Sequence, residues 1–274
     1  MLTDLGPWLS PHTIRGVWGD PALLSLGLSF SLPTLFILLC HELGHWVACR
    51  RHGLPATPPF FLPAPIGLGT FGAFIRIRAP IEHRRQLLDV GVWGPLAGFL
   101  ALLPFLVLGV LWSTPAPIEA LASGETSDVV LWVPGRSLAL HGLATLVHGP
   151  LGPATTLDLH PFALAAWVGL LVTALNLLPL GQLDGGHILY AALGRSQARL
   201  APWLWALLVT AGLLLWPGWI LWSAITLAMG LRHPPVLDEH RSLDARRRLL
   251  AWAALAILVV SFVPVPLQQI PVAR

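Results

Sequence analysis

Lysine is absent from this chain of 274 residues, and all 16 basic residues are arginine. Charge of either sign is scarce, at 11% of residues, where an ordinary soluble domain carries roughly 25%. A soluble body of this size needs more polar surface than that. Cysteine is nearly absent too. Cys40 and Cys49 sit on one predicted helix, about 13.5 Å of rise apart, beyond disulfide reach. No disulfide framework follows, and no oxidising compartment is implied. Glycine and proline, 26 each, are too few and too scattered for collagen or a low-complexity chain. Disorder is excluded by the 55% of hydrophobic residues. The first 21 residues lack the basic region of a signal peptide, so no cleavage is expected there.

A polytopic membrane protein is the class that remains, and the mean hydropathy of +0.73 agrees with it. A nucleic-acid binder gathers its basic residues on a polar face. Here they lie in short loops between apolar runs, so no nucleic-acid partner is expected and the lipid bilayer is the surrounding. Apolar runs are predicted as helices at 22–49, 87–112, 161–181 and 249–264. The stretch 200–231 is broken by Pro217-Gly218, and is read as two short spans. With six spans and the loop after the first in the cytoplasm, 13 of the 16 Arg fall on cytoplasmic segments. Both termini then lie outside. Between the first two spans, residues 54–79 hold prolines that exclude helix and a β-rich stretch from Thr70 to Arg78, read as a small membrane-associated β-hairpin. The fold class is therefore an all-α polytopic membrane protein of about six transmembrane helices, organised as one integral membrane domain over 1–274.

One motif carries chemistry. In His41-Glu42-Leu43-Gly44-His45, the two histidines are four residues apart and share a helix face. Two imidazoles so spaced can hold one Zn²⁺, with the intervening Glu within reach of its water. Given this chain's His and Glu content, chance supplies such a motif about 0.01 times. The alternative, a metal-free hydrogen-bonded cluster, is costly beside the apolar run at 32–40. A zinc enzyme needs a third protein ligand. Asp184, before Gly185-Gly186, is the candidate, at the same predicted depth as His45; a lone Asp there is usually a turn residue, and the HELGH motif favours the ligand reading. Those glycines are expected to permit a turn forbidden to other residues. Asn176 either donates to an oxyanion and positions the peptide, or bridges two helices as a buried amide. His187, three residues after Asp184, is read as a satisfied polar residue, with a substitute ligand or a group supporting the ligands as the alternatives. His52, His83, His141, His148, His160, His233 and His240 show no ligand spacing. Gly94 and Gly98, four apart, permit close helix contact within the chain or in a homodimer.

The HELGH motif, together with Asn176-x-x-Pro179-x₄-Asp184-Gly185, resembles the site-2 protease family of intramembrane zinc metalloproteases. Gly94-Pro95-Leu96-Ala97-Gly98 and the Pro-rich segment ending Gly69-Thr70-Phe71-Gly72-Ala73-Phe74 also look like that family. The resemblance covers residues 30–190. It implies a three-helix catalytic core and cleavage of transmembrane protein substrates, as in regulated intramembrane proteolysis. His41, His45 and Asp184 are then the metal ligands for one Zn²⁺, and Glu42 the general base. A membrane zinc transporter or metal-sensing protein is the rival, but the spans hold almost no ionisable residue besides Asp89. A catalytically dead scaffold is the second, and the intact Glu42 argues against it. The short chain without a transit peptide leans towards a bacterial plasma membrane, with the active site facing the cytoplasm.

Overall fold

In the computed structural model, residues 19–63, 70–118, 131–152, 154–240 and 242–270 are described. Gly69 of the Pro-rich segment and Arg15, Arg241 and Arg274 of the arginine count lie outside them. The chain is mostly helical. The first helix, α1 (Pro21–Arg51), begins where the Asp20 side chain accepts from the Ala22 and Leu23 amides and Pro21 takes the first position. It runs through Pro33 to Arg50 and Arg51 in its last turn. A hairpin follows, β1 (Phe60–Pro63) antiparallel to β2 (Thr70–Phe74), as the β-rich stretch predicts. Next is α2 (Arg84–Trp112). α1 and α2 are each long and apolar enough to cross a membrane, as is the combined segment Asp184–Leu214. A count of six spans is not reached on this criterion.

The segment between α2 and the next long apolar run folds more than the sequence suggests. It forms β3 (Thr114–Pro117), β4 (Leu131–Pro134), α3 (Leu138–His148) and β5 (Thr155–Asp158). β3 pairs with β5, and β4 pairs with β6 (Leu267–Ile270) at the far end of the chain. Trp167 Nε1 donates to the Gly135 carbonyl at 2.7 Å, tying this layer to the helices.

α4 (Pro161–Asn176) stops five residues before the predicted end at 181. Proline at 179 cannot continue a helix and biases the residue before it away from helical backbone. The chain turns over 177–183, with Gly181 in the left-handed region (φ 54°) and its amide donating to Leu231. α5 (Asp184–Leu193) then starts at Asp184. The expectation that Gly185 and Gly186 supply the unusual backbone is corrected: both are helical, and Gly181 does so. Their lack of a side chain serves close approach instead, since a Cβ on either would overlap backbone carbonyls of the turn. A short 3₁₀ turn leads to α6 (Gln197–Leu214) and α7 (Gly218–Met229), two helices broken at 215–217 as Pro217-Gly218 predicts. α8 (Ala245–Ser261) is last.

α1, α2 and α4 pack on one another, with α5 and α8 against α2. α2 is the central member: Leu87, Leu88, Val92, Leu102 and Val110 are fully buried on different faces of it. The outer faces stay apolar, with Leu32, Leu100, Trp203 and Leu213 more than half exposed, as lipid contact requires.

The arginine-bearing segments meet at one end of this bundle. Asp89, the ionisable residue of the second predicted span, is buried there. It takes Arg247 through two bonds (Nε to Oδ1 3.0 Å, Nη2 to Oδ2 2.6 Å) and His52 Nε2 at 2.8 Å. Arg84 donates to the Ala191 and Ala192 carbonyls, and Arg85 to that of Ser242. The Arg247 amide and guanidinium hold the Asp244 carboxyl below its ordinary value, so this cap is present above the usual carboxylate range and lost as pH falls. Removing one partner of a buried pair strands the other. Asp89→Ala should therefore cost about 2–4 kcal/mol, seen as a lower thermal midpoint in detergent; an unchanged midpoint would show that Asp89 does not hold this end together.

Candidate metal centre and its surroundings

His41 and His45 project from one face of α1 into the core and are 4% and 7% exposed. His45 Nδ1 lies 2.7 Å from the Val90 carbonyl. A carbonyl only accepts, so Nδ1 carries the proton and Nε2 of the neutral ring presents a lone pair. That Nε2 is 3.0 Å from His41 Nε2 and 3.3 Å from Asp184 Oδ2, which is also 3.2 Å from His41 Nε2. The structure thus brings together the three residues that the sequence offers as ligands, from positions 41, 45 and 184.

This donor set is informative in itself. A carboxylate oxygen and the His45 Nε2 are both acceptors, and acceptors buried face to face repel unless a cation or a proton lies between them. Ligands held at about 2.0–2.2 Å in a tetrahedron are separated by about 3.3–3.6 Å. The observed 3.0, 3.2 and 3.3 Å separations lie within about 0.3 Å of the lower end of that range. The residues therefore fit a zinc ion.

Glu42 stands beside the two histidines: one side-chain atom each from His41, Glu42 and His45 lies within 4.8 Å of the others. The backbone amide of Ile75, just after β2, faces its carboxylate. Asn176, the only asparagine of the chain and the last residue of α4, places Nδ2 3.4 Å from His41 Nε2. It is at the rim of the cluster.

The Gly94–Gly98 stretch is used within the chain. A Cβ on Gly94 would overlap the His45 ring, and one on Gly98 would come within 3.1 Å of His41 Cβ. Small residues on α2 are what let α1 turn both imidazoles inward. Sequence reasoning missed His233, which has no ligand spacing. It is buried, donates from Nδ1 to its neighbour Pro234 and so accepts at Nε2 from His187 Nδ1, 2.7 Å away. His187 is one turn after Asp184, so this pair braces the start of α5. Only tertiary contact brings the two together. Cys40 and Cys49 are free thiols, as expected.

Gly94→Ala tests the cradle. It should lower the zinc retained per chain by at least half, measured by elemental analysis after purification, with helicity unchanged. Full zinc in the folded variant would show that the His45 ring can give way.

Residues 29–215 match the model of peptidase family M50. The chain is 38% identical over 175 residues to a rice (Oryza sativa subsp. indica) protein named probable zinc metalloprotease EGY2, chloroplastic, covering 64% of this chain and 31% of the relative. It is 32% identical over 251 residues to probable zinc metalloprotease EGY1, chloroplastic, of Arabidopsis thaliana, covering 87% of this chain and 43% of the relative. It is also 34% identical over 133 residues to the DDT domain-containing protein PTM of Arabidopsis thaliana, covering 48% of this chain and 8% of that protein. The chain spans less than half the length of these relatives. No solved structure matches it. The expected bacterial plasma membrane finds no support, because the metalloprotease relatives are plant proteins whose names place them in the chloroplast. The matched region contains both the HELGH helix and the Asp184 turn that meets it, and the chain belongs to peptidase family M50, that of the site-2 proteases.

Proposed function

We propose that the chain is an intramembrane zinc endopeptidase that hydrolyses peptide bonds in or near transmembrane segments of membrane proteins. The observation that carries this reading is the convergence of His41 Nε2, His45 Nε2 and Asp184 Oδ2 within 3.3 Å, with Glu42 alongside. The three would hold one Zn²⁺. Bound there, zinc polarises a scissile carbonyl and brings the pKa of a water towards neutrality. Glu42 takes the proton of the attacking water and delivers it to the leaving amine. Asn176, on the rim, offers its amide N–H groups to a substrate carbonyl.

A transmembrane helix hides its carbonyls in hydrogen bonds, so the substrate must unwind before cleavage. The end of β2 lies beside Glu42, and an extended segment pairing with that strand would arrive at the base. The topology in this reading has six spans, with the arginine-bearing end and the site nearest it facing the cytoplasm-like side. Transport is the weaker reading, because Asp89 is committed to Arg247 and His52 at the bundle end and marks no path through it.

Glu42→Gln should leave one zinc per chain and lower cleavage of a membrane-protein substrate at least about a hundredfold. Equal cleavage by both proteins would remove Glu42 as base. Phe74→Pro should cut cleavage with thermal stability preserved; a folded variant cleaving at the normal rate would rule out strand pairing.

A further inference from the structure

A cavity of about 530 Å³ lies between α5 and α8, on the opposite side of the Asp184 turn from the histidines. That volume is in the range of ligand sites. Its walls are almost wholly apolar, including Ile188, Leu189, Ala254 and Leu258. Its one charged end carries Arg84 and Arg248. From Arg248 to Leu258 the groove follows α8 for about 15 Å. Its inner end reaches Leu177, Pro179 and Gly185, the back of the turn that presents Asp184.

Neither arginine has its charge neutralised at the groove. Arg84 donates Nε and Nη2 to carbonyls that end α5, and among the described residues no bond engages its Nη1; the Arg248 side chain is exposed and, among the described residues, makes no hydrogen bond. Among the described residues neither is in an ion pair, whereas Arg195 and Arg247 both are. On the flank of the groove Trp252 is 68% and Leu255 45% exposed, so it opens towards the surface that faces lipid.

We infer that this groove is a binding site for an anionic glycerophospholipid. One acyl chain lies along the apolar walls, and the phosphate sits between Arg84 and Arg248 at the membrane boundary. Charge and shape argue together. An anion alone would leave some 15 Å of apolar wall uncovered, and a neutral lipid would leave the charges of Arg84 and Arg248 without a counter-ion. The occupant would press on α5 from behind and hold Asp184 forward. The inference stands whether or not the chain cleaves peptides.

The test is native mass spectrometry of the full chain, released from mixed micelles holding phosphatidylglycerol and phosphatidylcholine with the same acyl chains. The wild type should retain phosphatidylglycerol roughly fivefold over phosphatidylcholine, the effect of about one arginine at a lipid head group. Arg248→Gln should bring the two lipids to parity. Arg246→Gln, in the same basic cluster but outside the groove, should keep the preference. Leu255→Trp, which narrows the groove, should lower retention of both lipids. Equal losses in Arg246→Gln and Arg248→Gln would overturn the site in favour of diffuse surface charge. Displacement of the lipid by inorganic phosphate alone would overturn the acyl component. Unchanged lipid retention in Leu255→Trp with slowed peptide cleavage would overturn it too, assigning the groove to substrate.

Discussion

Acceptor atoms buried face to face among apolar helices are expensive to hold together, and the rest of the bundle is arranged around that expense. The His45 lone pair and the Asp184 carboxylate repel one another in a dry core unless a cation or a proton lies between them. Each has a separate structural support. Val90 fixes the tautomer of His45, so that its lone pair faces inward. The glycines of α2 let α1 come close enough for both rings to enter the core. α4 ends at Asn176, and the turn after it swings Asp184 back towards α1. His187 and His233 then pin the first turn of α5 from the side. Remove the metal and these supports hold a set of groups with no favourable arrangement of their own, which is how a protein keeps a site preorganised.

The bundle end near the arginines is the second fixed point. His45 is five residues, or about 7.5 Å, from Arg50 along α1, and His41 about 13.5 Å. The site is thus buried within the helical layer yet close to the boundary where charge becomes affordable. Asp89 links the ends of α1, α2 and α8 at that boundary through His52 and Arg247. This fixes the depth of the site relative to the charged end.

What could be read in the sequence was what local spacing encodes. His41, Glu42 and His45 lie within one turn and a half of helix, so their meeting needs no knowledge of the fold. Asp184 required a topological step, since only the shared depth of two helix ends places it near His45. The interruption at Pro217-Gly218 and the hairpin at Thr70–Phe74 were legible because proline and β-branched or aromatic residues act locally. The pairings of β3 with β5 and β4 with β6 were not: each strand has four residues, β3 and β4 carry prolines, and β4 and β6 lie more than 130 residues apart in sequence. His233 was illegible for a related reason, since it lies in the irregular segment between α7 and α8 and its partner is 46 residues away on α5. The role given to Gly185 and Gly186 failed because a glycine's small size and its backbone freedom leave the same mark in a sequence.

The brevity of α4 has a mechanical consequence. Sixteen residues rise about 24 Å, roughly 6 Å short of a typical hydrocarbon layer of about 30 Å. No residue of α4 is exposed, so neighbouring protein and not lipid meets this shortfall. The turn that follows is closed in the same way: Leu177, Leu178, Leu180 and Gly181 are buried, and the Leu177, Leu178, Leu180, Gly181 and Leu183 amides all donate to backbone carbonyls. Irregular backbone at membrane depth is tolerated where protein surrounds it. The shell around α4 therefore does for the Asp184 turn what water does for a loop at the surface, and a short helix can end inside the layer because its neighbours do not.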